Sequence, residues 1–143
     1  MTDTTITPYL NFGGRCEEAL EFYRQALGAE IEMMMRFDES PTPPPPGVLP
    51  PGFDRKIMPA SFRIHGVPLM ASDGCNNPSK FEGIGLSLAV PTEADARRAF
   101  DALADGGSVR MPLNETFWSP CFGMVTDRFG VGWMVMVPQA PAN

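Results

Sequence analysis

Two segments of this chain repeat one another at an offset of 78 residues, which places Leu10 on Leu88, Phe22 on Phe100 and Gly28 on Gly106. That offset constrains the fold more than any local motif, because each copy is one supersecondary unit with the same order of elements. In the first copy an extended run from Ile6 to Phe12 ends at Gly13-Gly14. A helix follows, in which Cys16, Ala19, Leu20, Tyr23 and Leu27 recur at helical spacing and Gly28 is placed to end it. In the second copy Ile84 to Val90 is extended and Thr92 starts a helix, with Asp95 completing a capping pattern that satisfies orphan amides of the first turn. Ala96, Ala99, Phe100 and Leu103 form its apolar stripe, and Gly106-Gly107 closes it. Three extended runs follow each helix, so each half reads β-α-β-β-β with its last two strands joined as a hairpin. Identity between the halves is slight, and the repeat rests on pattern.

The later strands are read from alternation. Glu30 to Asp38 sets Ile31, Met33, Met35 and Phe37 against Glu32, Met34 and Arg36, which predicts a strand with one buried face. Met58 to His65 and Val67 to Asp73 read as two strands around a His65-Gly66 turn. From Asn114 to Met134 a polar and aromatic cluster runs into a second hairpin. Phe122, Met124 and Thr126 oppose Gly123 and Val125, and Asp127 to Gly130 supply turn chemistry. Val131, Trp133, Val135 and Val137 then alternate with Gly132, Met134 and Met136, so both faces of this strand are apolar and both are expected to be covered. Proline removes backbone donors, so SPTPPPPGVLPPG at 40–52 is a loop or lid. A spacer between strands is the plain reading of it, and docking of a polyproline segment on an aromatic groove is the alternative.

At 143 residues the chain is sized for one domain with a core of its own. A net charge of -6, a pI near 4.7 and no Lys/Arg cluster exclude nucleic acid and an anionic membrane surface as partners. The N-terminal MTDTTITPYL has no signal-peptide pattern, and no apolar run approaches the roughly 20 residues that span a bilayer. A soluble cytoplasmic protein is expected. Cys16, Cys75 and Cys121 form no CxxC pair and read as reduced thiols. Cys121 is a weak candidate nucleophile, since it needs a base and the only histidine, His65, sits in a turn. A small residue packed on a strand is the plainer reading.

The order of elements, with PYLNFGGRCEEALEFYRQALGAE, FRIHGVPLMASDG and MPLNETFWSPCFGMVTDRFGVGWM, resembles the vicinal oxygen chelate superfamily of glyoxalase I, extradiol dioxygenases and bleomycin-resistance proteins. The PhnB-like branch is the most similar. The resemblance implies an α+β fold of paired βαβββ modules, about 5–73 and 83–138, whose mixed β-sheets curl into a cup with helices outside, commonly in a homodimer. In metal-using members, His and Glu ligands from the first and last strands of each module hold a divalent ion that chelates adjacent substrate oxygens. Those positions fall here on Pro8 or Tyr9, Met70 or Ala71, Gly85 and Met134. None is a usual ligand for such ions, so no metal and no cofactor are expected.

The cup would then be a largely apolar small-molecule site. Tyr9, Met70, Ser72, Glu115, Trp118, Phe122 and Met134 are its candidate residues. Glu115 could act as a general base if an apolar setting raised its pKa, and Trp118 could stack on a planar or cationic ligand. Against this, Trp118 and Phe122 as packing or dimer-contact residues, and Glu115 as a turn cap or a partner of Arg128, is the bland alternative. A metal-free binding protein is the first functional reading. A metal-independent lyase, isomerase or transferase using Glu115 or Cys121 is the second. Sequences of this branch are often labelled methyltransferase-like, yet no glycine-rich S-adenosylmethionine loop follows the first strand.

Overall fold

A computed structural model of the chain describes residues 4–41, 51–73 and 81–139. Two compact units divide between Ser79 and Lys80. The first holds β1 (Tyr9–Asn11), α1 (Cys16–Leu27), β2 (Glu30–Arg36), β3 (Ile57–Ile64) and β4 (Val67–Ser72). The second holds β5 (Gly85–Ala89), α2 (Glu93–Ala104), β6 (Ser108–Asn114), β7 (Cys121–Thr126) and β8 (Gly132–Val137). Each is a βαβββ module, and the fold is α+β. Within each, a mixed four-stranded sheet runs in the order β1-β4-β3-β2 or β5-β8-β7-β6, the first strand parallel to the last and the other pairs antiparallel. Most of the proline-rich segment and of the loop after Asp73 lies outside the described residues.

Both helices bury the stripes that their spacing predicts. In α1 Cys16, Ala19, Leu20, Tyr23 and Leu27 are buried, and the helix stops at Gly28, whose φ of 70° only glycine adopts without steric cost. Tyr23 and Phe62 of β3, both fully buried, lie with their rings parallel at 6.4 Å. In α2 Ala96, Ala99, Phe100 and Leu103 are buried. Each large apolar side chain so removed from water contributes roughly 1.5–3 kcal/mol. Helix α2 sits so close to β7 that a Cβ on Gly123 would lie 2.8 Å from the Phe100 ring. A side chain there would displace Phe100 or Leu113.

The helices start differently. Thr92 caps α2 locally, its hydroxyl accepting the Asp95 N–H at 3.1 Å. Helix α1 has no such cap of its own. Asp73, fully buried just past β4, reaches back instead: Oδ1 accepts from the N–H groups of Gly14 (2.8 Å) and Cys16 (2.7 Å), and Oδ2 from that of Ile57 (2.7 Å). One carboxylate thus ties helix, first loop and third strand together.

Three strand expectations change. The first strand is shorter than Ile6–Phe12. Strand β2 has no single buried face, because irregularities between Ile31 and Met33 and between Met34 and Arg36 break its alternation, and Phe37–Glu39 turns into a 3-10 helix. On β8 only one face is fully covered: Trp133, Val135 and Val137 are buried, whereas Met134 and Met136 are half-buried.

Candidate functional site

Strand register decides which side chains share a sheet face. In the second unit Leu86, Trp133 and Val125 are neighbours across β5, β8 and β7 on the α2 side, as are Leu88, Val135 and Gly123. The opposite face carries a central row that runs from Ser87 through Met134 and Met124 to Met111. Beside it run Ala89, Met136, Phe122 and Asn114. Four methionines and a phenylalanine therefore lie on one face, with Met111 and Met124 exposed. The Ser87 hydroxyl reaches the Met136 sulfur at 3.9 Å.

At the Phe122 end of this face stands a short aromatic ladder. The turn after β6 is closed on itself: the Thr116 N–H donates to the Ser119 carbonyl at 2.9 Å, and the Ser119 N–H to the Thr116 hydroxyl at 3.1 Å. Ser119 is buried, and its hydroxyl accepts the Cys121 N–H and lies 2.6 Å from the Val137 carbonyl, fastening the turn to β7 and β8. Phe117 and Trp118 sit at its tip. Their rings meet edge to face at 4.7 Å, and Trp118 meets Phe122 in the same way at 5.4 Å. Phe117 nevertheless stays 89% exposed and Trp118 43%.

The hairpin beyond is locked by Asp127, whose Oδ1 accepts from the N–H groups of Phe129 (2.8 Å) and Val131 (3.1 Å) and whose Oδ2 accepts from the Trp133 indole at 2.9 Å. Arg128 binds the Asp105 carboxylate and carbonyl. Glu115 is exposed beyond the end of β6. Cys121 is buried with Val137 as its register partner, and burial, followed by the charge of Glu93, raises its thiol pKa. A raised thiol is a poor nucleophile.

In the first unit the corresponding row runs from Tyr9 through Met70 and Ser61 to Met33. Tyr9 is 49% exposed beside half-buried Met70, and Ser72 is buried opposite Asn11. The seven predicted residues thus fall into two groups: Tyr9, Met70 and Ser72 in one unit, and Glu115, Trp118, Phe122 and Met134 in the other. Sequence reasoning missed Ser87, Met111 and Met124. The repeat offset was a usable signal, since it carries Tyr9 to Ser87 and Met33 to Met111. It also corrects Gly85, which pairs with Gly132, so Ser87 is the residue beside Met134.

Taken unit by unit, the central row holds no imidazole or carboxylate: the first offers a phenol, a hydroxyl and two thioethers, the second a hydroxyl and three thioethers. Neither donor set fits a hard or borderline cation of the kind that metal-using members of the superfamily hold. Among the described residues no group of three or more His, Cys, Asp and Glu side chains is gathered for a metal. A separate cleft of about 320 Å³ lies beside α1, lined by Glu17, Glu18, Glu21, Lys56 and Asp73. Its glutamates are engaged by Arg36, Arg15 and Arg24 respectively, and Asp73 by the backbone. It is a salt-bridged surface rather than an open acidic site.

Comparison with known proteins gives this geometry a context. A family model described as 3-demethylubiquinone-9 3-methyltransferase matches residues 4–136. Protein YjdN of Escherichia coli is 37% identical over 96% of this chain and 99% of its own length. The crystal structure of protein PA1353 from Pseudomonas aeruginosa, 44% identical, covers 96% of this chain and 100% of its own with a TM-score of 0.84. A putative 3-demethylubiquinone-9 3-methyltransferase, PhnB protein, from Bacillus cereus is 29% identical over 94% and 99%, with a TM-score of 0.77. A glyoxylase/bleomycin resistance protein/dioxygenase domain from Frankia, 13% identical over 97% and 100% with a TM-score of 0.64, shares the fold alone. No helix among the described residues is long and apolar enough to cross a membrane.

Proposed function

The chain belongs to the 3-demethylubiquinone-9 3-methyltransferase family, is PhnB-like and has the vicinal oxygen chelate fold, and from that premise we propose that it binds a small, mainly apolar organic molecule without a divalent metal. The second unit supplies the surface, with Trp118, Phe122 and Met134 as the main contacts. Glu115 is a secondary contact of that surface, and Tyr9, Met70 and Ser72 mark the first unit's own face, the weaker candidate for the same ligand class.

Trp118 is the observation that carries it. A closed turn and an edge contact with Phe122 hold the indole in place, yet it keeps 43% of its surface in water beside a methionine-lined face. Ordering an aromatic ring before a ligand arrives reduces what binding must spend on ordering it, and thioethers adapt to irregular partners. A planar ligand is therefore the favoured class. Metal-free binding is supported by central rows that lack carboxylate and imidazole.

Methyl transfer, which the family description names, finds little support in this chain. The glycines after β1 have their amides engaged internally, Gly13 by Asn11 and Gly14 by Asp73. The metal-independent enzyme using Cys121 is disfavoured by the raised thiol pKa. A cytoplasmic homodimer completes the proposal, on the resemblance and the net charge of -6, and light scattering of purified protein tests its oligomeric half.

A thermal-shift screen with planar aromatic compounds tests the binding itself, since a ligand bound only by the native state raises Tm. Trp118→Ala is expected to weaken a stabilising ligand about tenfold, the equivalent of ~1.4 kcal/mol. Unchanged affinity would return Trp118 to a packing role.

A further inference from the structure

Met124 lies in the middle of the second unit's central row, with Met134 its register partner on β8 and Met111 its register partner on β6. Met124 and Met134 oppose each other on an uninterrupted antiparallel ladder, where Cβ atoms lie about 4.5–5.5 Å apart, and Met111 pairs with Met124 between two register irregularities of β6. Three consecutive thioethers thus project from adjacent strands on one face. Each has three rotatable bonds, so the three sulfurs can converge above Met124. Met111 and Met124 are exposed and Met134 is half-buried, so this stretch of the row meets water.

We propose that Met111, Met124 and Met134 form a thioether site for a soft monovalent cation of the Cu(I) or Ag(I) class. Thioether sulfur is a soft donor that favours Cu(I) over the hard and borderline divalent ions. The flanking rows reinforce that selectivity. They supply hydroxyl, amide, aromatic and aliphatic groups and a further thioether, Met136, and no carboxylate or imidazole to recruit a harder ion. Neutral thioethers need no deprotonation, so affinity should change little with pH near neutrality. The first unit provides an internal control: in its central row Ser61 separates Met70 from Met33, so no three thioethers are adjacent. Buried Cys121 is a register neighbour of Val137, in a different row from the triad. The site stands on these side chains alone and does not depend on the organic-ligand reading, although the two occupants would compete for one face.

The test is an anaerobic titration of the untagged protein with Cu(I), supplied as its acetonitrile complex and competing against bicinchoninate. Cys75→Ser protein is run in parallel to remove a competing thiol. One Cu(I) per chain is expected, retained in Cys75→Ser and in Met33→Leu. Affinity should fall by more than about tenfold in Met124→Leu and in Met111→Leu, changes of similar side-chain volume. Met111 is 41% exposed, so its substitution keeps the test valid should Met124→Leu unfold. Failure to compete with bicinchoninate, full binding by both methionine variants, or loss of binding in Cys75→Ser would each overturn the proposal.

Discussion

The two units share one topology, but they are held and furnished differently. In the first, a single buried carboxylate from beyond the last strand caps the helix and binds the third strand. In the second, a threonine next to the helix does the capping, and the buried carboxylate, Asp127, tightens the final hairpin instead. The central rows differ as well. Tyr9, Met70, Ser61 and Met33 interleave polar and sulfur groups, whereas Ser87, Met134, Met124 and Met111 gather three thioethers beside an aromatic ladder. The lesson is that topology fixes where a site can lie in each unit, and the residues along one row decide what it takes.

The sharpest way to break this comparison is at the caps. Asp73→Ala strands three N–H groups, two of them buried, and a cost of about 3–5 kcal/mol is expected in urea denaturation. Thr92→Ala removes one local acceptor and should cost only ~1 kcal/mol. Equal losses would mean that the carboxylate does not tie the first unit together. The smallest effect concerns Glu17, which Arg36 grips at 2.9 and 3.1 Å on the surface. The hydrogen bond from Arg36 lowers the Glu17 pKa below its ordinary 4.5. A depressed carboxyl stabilises the fold above its unfolded pKa, and that contribution disappears as pH falls through the folded pKa. Glu17→Gln should therefore cost less than about 1 kcal/mol at pH 7, because the pair is exposed to water, and progressively less as pH falls through the folded pKa. A larger loss at pH 7 would show that the α1 surface is more than a solvated face.

Much of this frame was legible in the sequence. The stripes of both helices, Gly28 as a stop and Thr92 as a cap follow from spacing within one turn or two. What failed was long-range or irregular. Alternation along β2 misled because two irregularities interrupt it, and neither has a signature in a run of methionines. Asp73 reads only as the end of the run from Val67, and nothing local reveals that its partners lie 57, 59 and 16 residues away. Met111 and Met124 were missed because they become neighbours of Met134 only through register. The 78-residue repeat held part of that information, since it carries Met33 to Met111.

The central claim is that the second unit's methionine face, and not its counterpart in the first, receives the ligand. Methyl-labelled methionine NMR resolves the two faces in one spectrum. On adding a planar aromatic compound that raises Tm, the account predicts shifts at Met124, Met134 and Met136 with Met33 and Met70 unmoved. Shifts confined to Met33 and Met70, or no methionine responding to a ligand that stabilises the protein, would contradict it.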